Sequence, residues 1–594
     1  MHNQLLSVDV IKGGEFLVKE TPLDHIFLPE VLSEEQKMIQ AMASGFVSSE
    51  IEPNVEKIEN QAPGIMDHLF KTCGELGLLG AHMPESYGGI HLDFNTNTLI
   101  CQAFGSAGSF NTPFAAHTGI GMLPILNFGT EAQKQKYLPG LISGDLKAAY
   151  CLTEPGSGSD ALAAKTRADL SSDGNSYVLN GQKMWISNAG FADIFIVFAK
   201  IGGTQFTGFI VERNTPGLTF GEEEKKLGIK GSSTRQVFFE NVNVPLEQLL
   251  GEIGKGHRIA FNALNMGRFK LGAFCIGGNR KLINRSMEYA KERVQFGKSI
   301  SSFGAIKYKI AEQIIRDFAA ESGIFRISNL IHLKIEELVA SGLDYAKATL
   351  QAAQEYALEC SITKIAGSES LDYVVDETLQ IHGGIGYSEE LPIARAYRDS
   401  RINRIYEGTN EINRLLIIDM LFKKALNGEI DLVNAAWEVQ KELTKMPSLD
   451  QDQSLWAQES KAVTQMKKLV LMTIGAAGKF QMDGKLDLQT EQEIMMNGAD
   501  MIIDTYLAES ILLRILKLNT LGLVKPIHEA ILKVFLWDVT QRVVKNAKDA
   551  ISSFVEGDLH KTFMMGIKRF DAYPPPNVKN LRRMIADHYL EHGY

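Results

Sequence analysis

Tyr150-Cys151-Leu152-Thr153-Glu154-Pro155-Gly156-Ser157-Gly158-Ser159-Asp160 marks the point where helical periodicity gives way to strand texture. Its glycines and hydroxyl side chains can bring backbone N–H groups and Oγ atoms close to a polar ligand. Downstream, Ser176–Leu179, the pair Asn180-Gly181 and Lys183–Ile186 predict a hairpin, because Asn-Gly supplies the two positive φ angles of a type I′ turn. Asp193–Lys200, Phe206–Val211 and Arg235–Val244 continue as short β-rich runs, so the block reads as an antiparallel sheet or small barrel. Upstream the chain is mostly helical: Ser33 followed by Gln36 is a capping-box pattern ahead of Met38, Ile39, Met42 and Phe46, which share one helical face. After Gly256 the helical period returns, and segments near 258–294, 304–338, 346–376 and 411–425 predict a bundle of four long helices. The polar stretch Thr444–Asp452 then separates a further helical block at about 455–570, and Pro574–Pro576 are expected to end its regular structure. The expected class is α+β, mostly α. Its parts are an N-terminal extension (1–34), an N-terminal helical domain (35–150), a central antiparallel β domain (151–256), a helical bundle (257–430) and a C-terminal helical extension (431–594).

With 594 residues, 45% of them hydrophobic and 22% charged, the composition is that of a folded globular protein of several domains. The balance of 61 Lys and Arg against 71 Asp and Glu, net −10, disfavours nucleic-acid binding. The longest apolar run, Leu469–Gly478, is about half the ~20 residues a membrane helix needs and is bracketed by Lys468 and Lys479. No basic start followed by an apolar block opens the sequence, so a cytoplasmic location is expected. Cys73, Cys101, Cys151, Cys275 and Cys360 never form a CxxC pair and read as small buried hydrophobes, with no metal site expected.

Several familiar signatures fail on one residue. Phe296-Gly297-Lys298-Ser299 ends like a phosphate loop, but Glu292 stands where its leading glycine must be, and His528-Glu529 opens like a zinc-protease helix with Leu532 in place of the second histidine. No G-x-G-x-x-G opens an early strand-turn-helix unit. Four segments remain. Besides the glycine-rich loop, Lys183-Met184-Trp185-Ile186-Ser187-Asn188 puts Trp185 and Ser187 on one strand face, suited to covering a planar ring and bonding its edge. Arg293-Val294-Gln295-Phe296-Gly297-Lys298 closes a long helix with a guanidinium that can grip a phosphate. Gln380-Ile381-His382-Gly383-Gly384-Ile385-Gly386-Tyr387, followed by Arg404-Ile405-Tyr406-Glu407-Gly408-Thr409-Asn410-Glu411, offers close backbone approach and a carboxylate at a break between helices.

Read in order, TEPGSGSD, KMWISN, RVQFGK, QIHGGIGY and RIYEGTNEI resemble the acyl-CoA dehydrogenase family across residues 35–425, and the block containing MNGADMIIDTYLAESILLRI resembles its very-long-chain branch, whose bacterial members serve fatty-acid β-oxidation. That resemblance implies FAD bound without a Rossmann motif. Tyr150, Cys151, Leu152, Thr153, Gly158 and Ser159 would contact the flavin or its ribityl chain, and Trp185, Ile186 and Ser187 would flank the ring. Arg293, Gln295 and Phe296 of one subunit, with Gln380, Gly383 and Gly384 of another, would hold the ADP portion, while Thr409 and Glu411 complete the FAD contacts. Such sharing requires an oligomer, and the resemblance to the very-long-chain branch implies a homodimer.

By the same resemblance Glu407 is the base that removes the α-proton of an acyl-CoA, giving a trans-2-enoyl-CoA, and Ser159, Asn265, Arg268 and Gly408 line the substrate. A minority of the family places its base just before the arginine of Asn265-Met266-Gly267-Arg268; here that position is Gly267. A carboxylate desolvated among ring, tyrosine and acyl chain should titrate near the operating pH. Electron-transferring flavoprotein is the implied acceptor. An acyl-CoA oxidase using oxygen and a non-catalytic flavoprotein assembly factor are the alternatives. Lys561, Lys568, Arg569, Lys579, Arg582 and Arg583 add a possible peripheral contact with an anionic membrane through the C-terminal domain.

Overall fold

A computed structural model describes residues 10–443 and 454–594; the polar stretch Thr444–Asp452 lies outside the described residues. The Ser33 capping box forms in full, each residue's side chain accepting from the other's backbone N–H, and launches the helix Glu34–Phe46. With Ile65–Glu75, Phe94–Phe104 and Glu131–Ile142 this helix builds an N-terminal layer around the packed rings of Phe46, Phe70, Phe104 and Phe110.

The central sheet runs, edge to edge, Leu218–Glu223, Thr234–Pro245, Ser176–Ser187, Arg167–Leu170, Ile194–Ile201, Gln205–Glu212 and Leu249–Leu250, with Ala148–Cys151 added beside Ile194–Ile201. It is largely antiparallel, with Ala148–Cys151 and Arg167–Leu170 pairing parallel to Ile194–Ile201. The hairpin expected at Asn180-Gly181 does not form. Ser176–Ser187 is one continuous strand on Thr234–Pro245, and Asn180-Gly181 is a bulge in it, where the register shifts between Leu179 and Gly181. A type I′ turn needs positive φ at both residues; only Gly181 has it (153°), while the Asn180 amide spans the bulge to Asn241.

Helices Gly256–Glu292, Gly304–Ala340 and Asn410–Leu426 match three expected bundle members. The third expected helix is two, Tyr345–Glu355 and Ala357–His382, broken at Tyr356, whose buried hydroxyl donates to the Ile11 carbonyl. Regular structure also outlasts Pro574–Pro576: Asn577 caps a final helix, Val578–His592, by accepting from Asn580 N. Proline ends a helix it cannot continue, but leaves the next residue free to start another.

The C-terminal helices Ala457–Met482, Gln492–Thr520 and Pro526–Phe554 share one hydrophobic core with the bundle and the N-terminal layer. Charges bolt the seam. Arg326 donates to Glu509, Ser510 and Thr21, and Arg514 joins Glu321, Ser322 and Glu30. Of the six basic residues noted near the C-terminus, Arg582 is turned inward onto Glu312 and Asp538. No helix among the described residues is long and apolar enough to cross a membrane.

Candidate active site

Thr409 caps the helix Asn410–Leu426 by accepting from Ile412 N, which fixes where the preceding turn must end. In that turn Glu407 and Gly408 both take left-handed φ, 59° and 79°. A glutamate held there is strained and needs its surroundings to hold it. They do so through the backbone. Arg268 Nε donates to the Glu407 carbonyl (3.1 Å), and the Asn413 amide and the Lys364 ammonium both donate to the Gly408 carbonyl (2.8 Å each). Lys364 also reaches Asn410 Oδ1 at 2.6 Å, and Asn265 Oδ1 accepts from Arg268.

The carboxyl end of Glu407 is treated differently: Oε2 is buried with no hydrogen-bond partner. Burial pushes its pKa up to about 7, against the opposing pull of Arg268 and Lys364. The carboxylate lies hard against Gly267, where an added Cβ would stand 2.6 Å from Oε2. Gly267 is therefore the clearance that lets this side chain occupy the site.

Glu407, Gly267, Ser187, Tyr406, Phe274 and Lys270 line one cavity. Tyr150 stands near it; its hydroxyl donates to the Ala260 carbonyl, and burial and the charge of Glu407 make it harder to ionise. Through Asn111, Thr112, Phe274, Asn403 and Tyr406 the cavity adjoins a wider cleft, which adds Lys281, Arg285 and Arg395 beside Asp399.

The glycine-rich loop is anchored at its start. Glu154 meets the Lys183 ammonium at 2.7 Å and accepts from Lys165 N and Thr166 N, while Lys183 also donates to the Leu152 carbonyl. Burial alone would raise the Glu154 pKa; Lys183 and the two amides outweigh it and hold it low. Past this anchor Gly158 and Ser159 are exposed, and a Cβ on Gly158 would meet nothing. Cys151 and Ile186 are buried, Thr153 half-buried with its carbonyl accepting from Met184 N. Trp185, at φ 61° in a second irregularity of its strand, leaves 53% of its surface exposed two residues from Ser187. A bulky indole held in a costly backbone conformation with an open flat face, beside a loop of free N–H and hydroxyl groups, fits a planar aromatic cofactor such as a flavin.

The remaining predicted residues stand elsewhere. Arg293, Gln295 and Phe296 lie exposed on the small ribbon after Gly256–Glu292, Phe296 at 92% exposure, and Gln380, Gly383 and Gly384 are exposed at the end of Ala357–His382. None of the six lines the Glu407 cavity. Sequence reasoning missed Lys364, Asn413 and Lys270. Lys364 and Lys270 each interrupt an apolar helix stretch, SITKIAG and GRFKLGAF, and a charge at such a place needs an explanation.

Models of the acyl-CoA dehydrogenase N-terminal, middle and C-terminal domains match residues 33–145, 149–242 and 254–422, and a second model described as acyl-CoA dehydrogenase, C-terminal domain, matches 465–569. A probable acyl-CoA dehydrogenase of Bacillus subtilis is 44% identical over 582 residues, 98% of each chain. The human very long-chain specific acyl-CoA dehydrogenase, mitochondrial, is 40% identical over 406 residues, 66% of this chain and 59% of that one. Among solved structures, an acyl-CoA dehydrogenase from Bacillus anthracis complexed with FAD superposes with a TM-score of 0.95 at 44% identity, covering 98% of this chain and 99% of that one.

Proposed function

The chain belongs to the acyl-CoA dehydrogenase family of FAD-dependent oxidoreductases, and we propose that it converts fatty acyl-CoA to trans-2-enoyl-CoA with Glu407 as the α-proton base. The observation that carries the role of Glu407 is its unpartnered, buried carboxyl oxygen in a cavity shared with Ser187. Tyr150 to Thr153, Gly158, Ser159 and Trp185 to Ser187 would hold FAD. Bound FAD supplies the two-electron acceptor for hydride leaving the β-carbon.

The protein's own part is positional and electrostatic. Arg268, Asn413 and Lys364 grip the backbone on either side of the Glu407 peptide and leave its carboxylate as the free, basic element. The raised pKa brings its proton affinity near that of a working base at neutral pH. The cations of the outer cleft suit the phosphates of CoA. The exposed Arg293, Gln295 and Phe296 support a homodimer in which they reach a second copy's FAD. Electron-transferring flavoprotein is the proposed acceptor. A long acyl tail is supported by the likeness to the human enzyme.

Anaerobic addition of saturated acyl-CoAs to the flavin-loaded protein should bleach the oxidised-flavin absorbance; a flavin left yellow by every chain length ends this reading. Because Glu407 must be ionised to accept a proton, kcat/KM should fall about tenfold per pH unit below a midpoint near 7 and level off above it. A profile flat from pH 5 to 8 would remove Glu407 as the titrating base. Gly267→Ala should lower kcat by roughly 10²-fold while leaving FAD bound, since the new methyl displaces the carboxylate from its place; unchanged turnover would mean the carboxylate's position is immaterial.

A further inference from the structure

Lys270 is 3% exposed, yet it lines the cavity that holds Glu407. It lies one helical turn beyond Gly267 on Gly256–Glu292, so the two residues are neighbours on one face. Its side chain is thus part of the wall along which an acyl chain with its α-carbon at Glu407 would run. The ammonium donates to the Thr118 carbonyl (3.2 Å) and Thr118 Oγ1 (3.4 Å), both long contacts to neutral groups of one residue. Three N–H bonds are available to an ammonium and an anion is its natural partner. No carboxylate is paired with Lys270 among the described residues. The titratable groups that feel its charge are Cys101, His82 and His117, and none brings a negative charge: burial keeps the thiol protonated and both imidazoles neutral.

The rest of the inner lining, Ala115, Ala116, Ile120, Leu271 and Phe274, is what a hydrocarbon tail wants. A buried, uncompensated cation is not, because a plain alkyl chain strips its water and returns nothing. We infer that Lys270 is a specificity-determining residue of the acyl cavity and takes an acyl-CoA whose tail carries a carboxylate, the monothioester of a dicarboxylic acid, with that carboxylate as the counter-ion. Burial also lowers the Lys270 pKa; an anionic tail would restore the charged form. This deepens the dehydrogenase reading and rests on it.

The test pairs chains of equal length. Hexanoyl-, octanoyl-, decanoyl- and hexadecanoyl-CoA are compared with the CoA monothioesters of the corresponding dicarboxylic acids, in anaerobic titrations of the FAD-loaded protein. At one length or more the carboxyl-bearing member should half-saturate the bleaching at a concentration roughly tenfold lower or better, the worth of one charge-assisted hydrogen bond. Lys270→Met should reverse that ratio while still being bleached by the unsubstituted chains, and Lys270→Gln, which keeps length and polarity without charge, should abolish it. The inference is overturned if unsubstituted chains are preferred at every length, or if the variants change the preferred chain length and leave the paired ratios alone. A flavin bleached by no thioester at all would take down the dehydrogenase reading and this one together, an outcome readily told from a flavin bleached equally by both members of each pair.

Discussion

Glu407→Gln should lower kcat by roughly 10²–10⁴-fold or more, the usual worth of a positioned base, while the flavin stays bound and acyl-CoA still binds. The change keeps the shape of the side chain and removes only its basicity, so the Arg268, Asn413 and Lys364 grip on the neighbouring carbonyls survives. A second effect has the opposite sign. The Glu407 carboxyl has a folded pKa of about 7 against an ordinary 4.5, so the folded chain holds its proton where the unfolded chain has lost it. Stability attributable to this group therefore falls as pH rises from about 4.5 to about 7, and the whole loss is present above that. Glu407→Gln, which cannot ionise, should be more stable than the parent protein at pH 8 by about 3 kcal/mol and about equal to it below pH 4.5. Thermal melts of the cofactor-free protein at both pH values, beside single-turnover bleaching, separate the two effects. A variant that is inactive and also less stable at pH 8 would point to a structural role instead.

Lys183→Met is the other large prediction. Lys183 is fully buried and Glu154 nearly so, and removing one partner of such a pair strands a carboxylate with only the amides of Lys165 and Thr166. A loss of roughly 3–5 kcal/mol is expected, with weakened retention of FAD because the anchored loop leads directly to Gly158 and Ser159. Adding Glu154→Gln to Lys183→Met should recover part of the stability, since no charge is then left unpaired. Equal stability of the single variant and the parent in denaturant melts would show that the loop is held by its backbone alone.

Much of this site was legible in linear order. The turn at Glu407-Gly408-Thr409 could be read because a glycine and a helix cap bracket an otherwise unplaceable carboxylate, and the loop at Thr153–Asp160 because its glycines coincide with a change of texture. The sheet was legible as strands but not in its connectivity. Asn180-Gly181 satisfies the local chemistry of a tight turn, and only the pairing of Ser176–Ser187 along Thr234–Pro245 turns it into a bulge. The break at Tyr356 depends on a hydroxyl meeting a carbonyl 345 positions away, and no local period encodes that. Lys270 and Lys364 were visible as intruders in apolar helices, but whether a buried lysine braces a turn or faces a cavity is decided by what packs opposite it.

The charged seam between Gly304–Ala340 and the C-terminal helices has a consequence for how small this protein can be. Arg326 lies on a face that the C-terminal helices, together with residues near Thr21, close over, and Glu509 and Ser510 meet it there; Glu321, already bound to Arg280 and Gln102, takes Arg514 from the far side. Cutting the polypeptide after residue 430 would not liberate a compact minimal enzyme; it would open a wall of stranded ions and aliphatic side chains to water. The tail is masonry, and the sequence that precedes it has been laid to receive it.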